Sequence, residues 1–366
     1  MIGGAEVAVK EITDRLPEHE FEMVTLQFDP SHPKVERIGN VVVHRINTSK
    51  LMFPFEASFY GKSLHKEKKF DAIWSIMAAY AGFASLFFKM SHPEVPYILT
   101  LQEGDPIESI KAKTWFVSPI FRKIFMRADK IQAISYFLAD FAEAMGYKGK
   151  VEVIPNGVDY KSFAELPDPH RMQEILERFE KKDTETYLIT TSRLVKKNGI
   201  DDVIKAVALL PKTVKFLILG TGPDQKILES LARRCGVETQ VKFLGYVEYK
   251  NIPLYLHASD IFIRPSLSEG FGNSFIEAMA AGLPVIATAV GGIIDFVFDP
   301  DKDHDMPPTG LFVNVKDPES IKTQILRLID DKELREKLVS NGKKLAEEKY
   351  DWNLVAKEMR ERIFTK

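Results

Sequence analysis

Residues 260–290 read DIFIRPSLSEGFGNSFIEAMAAGLPVIATAV. The apolar run at the start predicts a buried strand, and the glycine turn SEGFGN leads from it into a helical stretch, SFIEAMAA. Gly282 and Pro284 end this helix before a second apolar run, which predicts the next strand. A strand, a helix and a strand in this order are typical of a parallel sheet that is covered by helices.

The same alternation of short apolar runs and helical patterns extends along the chain. The predicted strands are residues 41–46, 72–76, 97–102, 131–135, 151–155, 187–192, 215–220, 241–245, 260–266, 284–290 and 310–313. Between Val158 and Thr186 lies a polar segment without a predicted strand, and 366 residues are too many for one ordinary core. The sequence therefore predicts an α/β protein with two doubly wound, Rossmann-like domains.

The predicted boundary gives domains at residues 1–158 and 159–351, with a C-terminal helix, 352–366, that packs back on the first domain. Ligands of doubly wound domains bind outside the carboxyl ends of the strands, so we expect the two domains to face a cleft. Gly3 and Gly4 lead directly into a helix, whereas a glycine loop of this fold follows a strand. We therefore expect that the first strand of the N-terminal domain, ahead of Met1, is missing.

The composition limits the class of protein. An apolar fraction of 45% and a charged fraction of 28% are typical of soluble globular proteins, and a net charge of −2 excludes a general attraction to nucleic acid. The single cysteine, Cys235, cannot form an intrachain disulfide and fits a reducing compartment. No secretory signal is visible, and the longest uncharged run, Ile73–Phe88, is shorter than a ~20-residue membrane span. We expect a cytoplasmic protein.

Two glutamates lie on either side of the glycine turn in the opening stretch. The turn at Gly270 and Gly272 opens a helix, and a helix N-terminus binds anions through its unpaired N–H groups and its dipole. Glu277 matches a capping box with Ser274, which is a structural explanation, whereas Glu269 caps nothing obvious. A carboxylate beside a phosphate is repelled unless it binds hydroxyl groups of the same ligand. The pattern therefore indicates a sugar nucleotide.

Seven segments in order resemble glycosyltransferase family 4. The paired glutamates lie in SLSEGFGNSFIEAMAAGLPVIATAVGG (266–292), and the other segments are GGAE (3–6), IPNGVD (154–159), TSRLVKKNGIDD (191–202), LGTGPD (219–224), FLGYV (243–247) and YDWNLVAKEM (350–359). Members of this family are retaining, nucleotide-sugar-dependent enzymes with two Rossmann-like domains, an architecture called GT-B. The resemblance covers nearly the whole chain and implies a UDP- or GDP-sugar donor.

The resemblance also implies roles for individual residues. Glu269 would hold the transferred sugar near its reacting face, and Glu277 would hold the ribose hydroxyls. Arg193 and Lys197 would neutralise the negative charge of the leaving diphosphate, so the implied catalytic residues are Glu269, Arg193 and Lys197. The other implied donor-binding residues are Gly3, Gly4, Val247, Gly270, Phe271, Gly272, Asn273 and Ser274.

The chain departs from the family pattern at two places. The family usually has its lysine five residues after the arginine, whereas Lys197 is four residues after Arg193, and Lys196 is a lesser candidate. Many members have a histidine at the end of an N-domain strand that faces the sugar. The matching positions here are Gln102 and Glu103, which we expect on the acceptor or sugar side.

Two further segments are open to a functional or a structural interpretation. The stretch DPDKDHDMPP (299–308) has alternating aspartates but lacks the glycine and glutamate of a calcium loop, so we expect a solvated loop and no metal or other cofactor. Gly291 and Gly292 form a second glycine turn after a strand, which is equally well a plain strand-to-helix turn.

A basic and aromatic stretch of the sequence raises the question of whether the protein contacts a membrane. Ser109–Ala128 contains three lysines, two arginines and several aromatic residues, but no acidic residue. Such a face can lie on an anionic membrane, at the inner membrane face for a cytoplasmic enzyme. The alternative, which we favour, is a Rossmann helix whose apolar side packs on the sheet.

These observations together predict a metal-independent retaining glycosyltransferase that transfers a sugar to a hydroxyl of a glycan or lipid-linked acceptor. A non-catalytic sugar-nucleotide-binding protein is an alternative, because the lysine and histidine positions are altered. An NAD-dependent dehydrogenase is a further alternative with the same fold class. It requires G-x-G-x-x-G, and the nearest match, Gly220-Thr221-Gly222-Pro223-Asp224-Gln225, lacks the third glycine.

Overall fold

The computed structural model describes residues 4–182 and 184–365, with the side chain of Lys113 left out. The chain divides into two compact units. The first consists of Met1–Asn156 and Trp352–Lys366, and the second is Gly157–Asp351. Gly3 lies outside the described residues.

The described residues form strands and helices in alternation. The strands are β1 Phe21–Leu26, β2 Val35–Ile38, β3 Val41–Ile46, β4 Ile73–Ile76, β5 Tyr97–Leu101, β6 Lys130–Ala133, β7 Val151–Val153, β8 Thr186–Thr191, β9 Val214–Leu219, β10 Val241–Gly245, β11 Ile261–Arg264, β12 Val285–Thr288 and β13 Gly310–Val313. The helices are α1 Gly4–Asp14, α2 Phe53–Lys68, α3 Tyr80–Lys89, α4 Ile107–Thr114, α5 Ser118–Met126, α6 Tyr136–Ala144, α7 Tyr160–Ala164, α8 Pro169–Phe179, α9 Ile200–Val207, α10 Gln225–Arg234, α11 Ile252–His257, α12 Asn273–Ala280, α13 Pro318–Asp330, α14 Lys332–Tyr350 and α15 Trp352–Glu358.

The strands of the first unit form two sheets. One has the order β4-β5-β6-β7 and is parallel throughout, as predicted. The other has the order β1-β3-β2, and β2 runs antiparallel to β3. The sequence analysis missed β1 and β2, and the prediction of parallel strands alone is wrong for this hairpin. Its turn is Gly39-Asn40, in which Gly39 has a φ of 57°.

The C-terminal helix belongs to the core of the first unit. Side chains of α15 and the residues after it share a buried apolar cluster with α1, which includes Ala8, Ile12, Leu16, Trp352, Val355, Met359 and Ile363. Arg15, the residue after α1, donates a hydrogen bond to the side chain of Asn353, 3.1 Å away. The end of the chain therefore stabilises the helix at its beginning.

The second unit contains one six-stranded sheet with the order β10-β9-β8-β11-β12-β13. All its strand pairs are parallel, so the carboxyl ends of the six strands lie at one edge. The chain starts in the middle with β8, moves outward to β10, and then returns to β11 on the other side of β8. The pair β8 and β11 is thus the switch point of this sheet, where doubly wound domains bind ligands.

The two ends of the second unit lie next to each other. The N–H of Val158 donates to the carbonyl oxygen of Tyr350, 2.7 Å away, and Val158 forms a parallel bridge with Asp351. In neither unit do the described residues include a helix of the length and apolarity needed to cross a membrane.

Candidate active site

The predicted catalytic residues of the second unit follow the two strands at the switch point. Arg193 and Lys197 come directly after β8, and Glu269 follows β11. Because β8 and β11 are neighbouring parallel strands, their loops leave the sheet at the same edge. The fold therefore brings together residues that lie far apart in the sequence.

The loops after β8 and β11 are tied together by backbone contacts. The N–H of Leu267 donates to the carbonyl oxygen of Lys197, 2.6 Å away. Gly199 has a φ of +68°, and a Cβ atom at this position would collide with the carbonyl oxygen of Pro265. The Lys-Asn-Gly sequence that departs from the family pattern is thus fitted to the loop that carries Glu269.

The two candidate lysines differ in their surroundings. The exposed Lys196 forms an ion pair with Asp201, with 2.6 Å between Nζ and Oδ2. Lys197 is half-buried, and its backbone joins the β11 loop. This arrangement favours Lys197 over Lys196 as the residue that meets a ligand. Arg193 is exposed, and its carbonyl oxygen accepts a hydrogen bond from the amide of Asn198 at 2.6 Å.

The glycine loop after β9 forms backbone hydrogen bonds with the loop that contains Arg193. The N–H of Leu194 donates to the carbonyl oxygen of Thr221 at 3.0 Å, and the N–H of Asp224 donates to the carbonyl oxygen of Leu194 at 3.1 Å. The LGTGPD segment therefore holds the backbone beside Arg193. A Cβ atom at Gly220 would collide with the carbonyl oxygen of Ser192, and one at Gly222 with that of Leu194, so contacts within the protein account for both glycines and no dinucleotide is needed to explain them.

A buried arginine, which the sequence analysis missed, lies beside Glu269. Arg264 ends β11, and its Nη2 is 2.7 Å from Oε2 of Glu269. Its Nη1 donates to the hydroxyl oxygen of Ser274 at 2.7 Å, and its guanidinium stacks over the ring of Phe275. The other carboxylate oxygen of Glu269 accepts the N–H of Gly270 at 3.2 Å. Both oxygens of Glu269 are thus fixed in place before a ligand arrives.

Helix α12 begins without a side-chain cap. Its N-cap is Gly272, with a φ of 105°, which has no side chain that could accept an N–H of the first turn. The capping box of Ser274 and Glu277 is therefore wrong, because Gly272 is the N-cap and Ser274 lies inside the helix, where its hydroxyl accepts from Arg264. A helix that begins at a glycine turn suits an anion, and the diphosphate role of this turn stays a prediction. Gly270 and Phe271 are buried in the turn, and Asn273 opens the helix.

Glu277 is buried in α12, where burial raises its pKa to about 7. A hydrogen bond from Tyr249 and the positive charge of Arg264 oppose this rise. Tyr249 lies in the loop after β10, two residues beyond the half-buried Val247, and this loop therefore reaches Glu277. Tyr249 was not predicted, because nothing in its local sequence indicates a partner in α12.

The second glycine turn supports Glu269 from the backbone side. The N–H of Gly292 donates to the carbonyl oxygen of Glu269 at 3.2 Å. Gly291 has a φ of +55°, and a Cβ atom there would collide with the same oxygen. This contact gives the Gly291-Gly292 turn, after β12, a structural role in placing Glu269.

Two family profiles match most of the chain. One, described as glycosyltransferase family 4, matches residues 2–162, and the other, described as glycosyl transferases group 1, matches residues 171–345. The chain belongs to glycosyltransferase family 4. Its two α/β units are the Rossmann-like domains of the GT-B fold.

Known proteins resemble this glycosyltransferase over most of its length. An uncharacterized glycosyltransferase of Methanocaldococcus jannaschii is 28% identical, over 98% of this chain and 93% of the relative. A GDP-mannose-dependent monoacylated α-(1-6)-phosphatidylinositol monomannoside mannosyltransferase of Corynebacterium glutamicum is 32% identical, over 65% of this chain and 62% of the relative. The crystal structure of Anabaena HepE in complex with UDP and glucose superposes with a TM-score of 0.82, at 21% identity, over 99% of this chain and 96% of that chain.

The described site residues that were predicted in the first unit are Gln102 and Glu103, which follow β5, and Gly4, which begins α1. Gln102 is buried, and its amide donates to the side-chain oxygen of Asn156 at 3.3 Å. Glu103 is buried as well, its Oε1 accepts the N–H of Ala78 at 2.6 Å, and burial raises its pKa. Gly4 is the exposed first residue of α1. The acceptor-side role of Gln102 and Glu103 and the donor role of Gly4 stay predictions.

Two groups of side chains bear on metal binding by this glycosyltransferase. In the loop 299–308, Asp301 pairs with Arg327 at 2.6 Å, and Asp299 accepts two backbone N–H groups. Within the described ranges, His65, His92 and Glu94 also lie close enough to share an ion. However, Nδ1 of His65 accepts the N–H of Phe70, so in this tautomer the proton sits on Nε2 and neither ring nitrogen offers a free lone pair. The metal-free reaction stays a prediction.

Proposed function

We propose that this glycosyltransferase is a cytoplasmic, retaining, metal-independent enzyme that moves a sugar from a UDP- or GDP-sugar to a hydroxyl of a glycan or lipid-linked acceptor. The observation that carries the proposal is the grouping of Arg193, Lys197, Glu269 and the glycine turn that begins α12 at the switch point of the second unit. Cations and N–H groups suit a diphosphate, and the two carboxylates suit sugar hydroxyls.

The choice of donor rests on the relatives. HepE binds UDP and glucose, and the Corynebacterium relative is described as GDP-mannose-dependent. Glu277 lies inside α12, where its buried carboxyl suits the paired hydroxyls of a ribose. This role fits either nucleotide, since both contain ribose.

In the proposed reaction, the bond between the anomeric carbon and the diphosphate oxygen breaks, and the acceptor oxygen forms a bond to the same carbon. Negative charge then develops on the leaving phosphate, where Arg193, Lys197 and the N–H groups of α12 would stabilise it. The acceptor attacks from the face that the phosphate leaves, and its hydroxyl proton passes to a phosphate oxygen. This route retains the anomeric configuration.

Glu269 is better suited to hold the sugar than to attack it. Arg264 holds one of its oxygens and the N–H of Gly270 holds the other, so both are hydrogen-bonded acceptors in a fixed orientation. A carboxylate held in this way is a weak nucleophile, yet each oxygen keeps a lone pair for a sugar hydroxyl. This geometry supports same-face attack rather than a covalent glycosyl-enzyme.

The purified full chain tests the proposal with a panel of UDP- and GDP-sugars. We expect slow release of UDP or GDP from one donor, faster release with a hydroxyl acceptor, and a product whose anomeric configuration equals that of the donor by NMR. EDTA should leave the rate unchanged. Tight nucleotide binding without release from any donor would support the non-catalytic alternative, and a need for Mn²⁺ or Mg²⁺ would contradict the metal-free reaction.

Three variants test the catalytic residues. Arg193→Ala and Lys197→Ala should each lower turnover by about 10²- to 10³-fold, the usual effect of losing a preorganised charge partner. Lys196→Ala is the matched control, since this exposed lysine pairs with Asp201. Glu269→Ala should lower turnover far more than it weakens nucleotide binding. Equal losses for Lys196 and Lys197 would remove Lys197 from the catalytic set.

A further inference from the structure

The segment from α4 to α5 in the first unit has two different faces. On one face, Phe121, Ile124 and Phe125 are fully buried against the unit. On the other, Trp115 is 75% exposed and Phe116 is 69% exposed, in the short turn that joins the two helices. The expected packing of a Rossmann helix on its sheet accounts for the first face only.

Beneath the exposed face, aromatic ring contacts join α5 to the neighbouring helices. Phe121 of α5 contacts Phe83 of α3 at 6.0 Å between ring centroids, and Phe83 contacts Phe87 at 6.4 Å. Phe87 stacks on Phe55 of α2 at 5.0 Å. At the far end of this row, Phe55 and its neighbour one turn on, Phe59, are exposed on α2. On the exposed face, the rings of Trp115 and Phe116 lie 6.4 Å apart between centroids, and grouped exposed apolar side chains often mark an interaction surface.

Basic side chains border this surface. Ile120 and Lys123 of α5 and Arg127, its C-cap residue, recur at helical spacing on one side, and all three are exposed. Lys111 is exposed on α4. The segment 109–128 has no acidic residue, and the carboxylate that follows it, Asp129, pairs with Lys89 at 2.8 Å.

We propose that this aromatic–basic face, made of Lys111, Trp115, Phe116, Ile120, Lys123 and Arg127, docks the protein on an anionic lipid membrane. Trp115, Phe116 and Ile120 would enter the boundary between headgroups and acyl chains, and the three basic residues would contact the anionic headgroups. The positive charge of this face favours an anionic membrane over a neutral protein surface. A neutral apolar partner surface would leave the basic side chains without counter-charges, whereas an anionic bilayer offers both an apolar layer and negative charge. The proposal stands apart from the assignment of donor and acceptor.

Vesicle binding by the full chain tests the proposal. We expect co-sedimentation with vesicles of phosphatidylcholine and phosphatidylglycerol, at least about tenfold weaker binding to phosphatidylcholine alone, and weakening by added salt. Trp115 provides a local probe, since its exposed indole should shift its fluorescence to shorter wavelength on these vesicles. Trp115→Phe should remove the shift and keep the binding.

Charge reversal on the two sides of α5 gives a matched comparison. Lys123→Glu with Arg127→Glu should weaken binding to anionic vesicles by about tenfold or more, whereas Arg122→Glu, on the other side of the helix, should change it much less. Unchanged release of UDP or GDP and an unchanged melting temperature would show that these exposed substitutions leave the protein folded. Equal effects on both sides, binding without a Trp115 shift, or self-association that Trp115→Ala abolishes in the absence of vesicle binding would overturn the proposal.

Discussion

Arg264 joins two residues to which the family resemblance gives different roles. It pairs with Glu269, the expected sugar contact, and donates to Ser274, at the expected diphosphate site. One buried guanidinium therefore fixes the relative position of both. A charged residue at the end of the otherwise apolar run Ile261–Ile263 was a visible signal, but its partners could not be read from the strand alone.

Arg264→Lys tests whether Arg264 acts by positioning Glu269 or only by its positive charge. A lysine keeps the positive charge but cannot span both partners, because its ammonium lacks the planar fork of a guanidinium. We expect turnover to fall by roughly 10- to 100-fold, the usual effect of a misplaced reacting group, with nucleotide affinity changed by no more than about threefold. Steady-state kinetics and nucleotide titration measure the two quantities. Wild-type turnover in this variant would show that Arg264 does not position Glu269.

Glu277 should make nucleotide binding depend on pH. With its pKa raised to about 7 by burial, the carboxyl is mostly protonated at pH 6 and mostly ionised at pH 8. Ribose hydroxyls bind more strongly to the ionised form, so UDP or GDP affinity should rise by roughly 3- to 10-fold over this range. Glu277→Gln should abolish this rise, and it also serves as the control for titration of the nucleotide phosphate. The same pH dependence in both proteins would remove Glu277 from the binding site.

The same carboxyl should affect stability in the opposite direction. Its pKa is higher in the folded protein than the ordinary 4.5, so its contribution to stability is fully present below pH 4.5 and is lost as the pH rises through about 7. The ligand-free protein should therefore melt at a lower temperature at pH 8 than at pH 5, and Glu277→Gln should reduce this difference. Calorimetry of both proteins at the two pH values measures the effect.

At the scale of elements, loops from three strands meet around Glu269. The loop after β8 contacts Pro265 and Leu267, and the turn after β12 contacts the backbone of Glu269 itself. The site is therefore held by backbone contacts between loops as well as by side chains. Small changes in a neighbouring loop should move the carboxylate.

Gly291→Ala tests this coupling. The new Cβ would collide with the carbonyl oxygen of Glu269, so we expect a large loss of turnover together with a loss of stability. Gly236→Ala is the matched control, since Gly236 also has a positive φ, of +68°, but has open space around its Cβ position. The control should show only the backbone strain of about 1 kcal/mol or somewhat more. Equal activity in the two variants would mean that the turn does not place Glu269.

The sequence predicted the elements whose signal is local. Strands β5, β8, β9, β11, β12 and β13 are short apolar runs because parallel strands covered by helices are buried on both faces. β1 and β2 gave no such run, since charged or polar residues interrupt both of them: Glu22 and Thr25 in β1, and Glu36 and Arg37 in β2. The glutamates and the glycine turn were found through their spacing. Arg264, Tyr249 and the role of Gly291 were not, because their contacts join segments that only the folded chain brings together.

At the scale of the whole molecule, the chain leaves the first unit after Asn156 and returns to it at Trp352. The helix after this return completes the core around α1, so the first unit depends on both ends of the sequence. The second unit is continuous and contains the complete six-stranded sheet with its switch point.

Trp352→Ala should therefore destabilise the first unit more than the second. Removal of a large, fully buried aromatic side chain costs about 3–5 kcal/mol. Hydrogen exchange should report faster opening in α1 and β5, with β8 and β11 little changed. Leu354→Ala, which alters an exposed side chain of the same helix, is the control. Uniform loss of protection in both units would show that they unfold together.

Because Val158 contacts Tyr350 and Asp351, the second unit begins and ends at neighbouring points of the fold. A segment whose two ends touch can be removed or replaced through two joints without stretching the chain on either side. A chimaera that takes residues 157–351 from a relative with another donor should acquire the donor preference of that relative, while the aromatic–basic face stays behind in the host. Donor choice and the proposed membrane docking would then change independently, because each depends on a different unit.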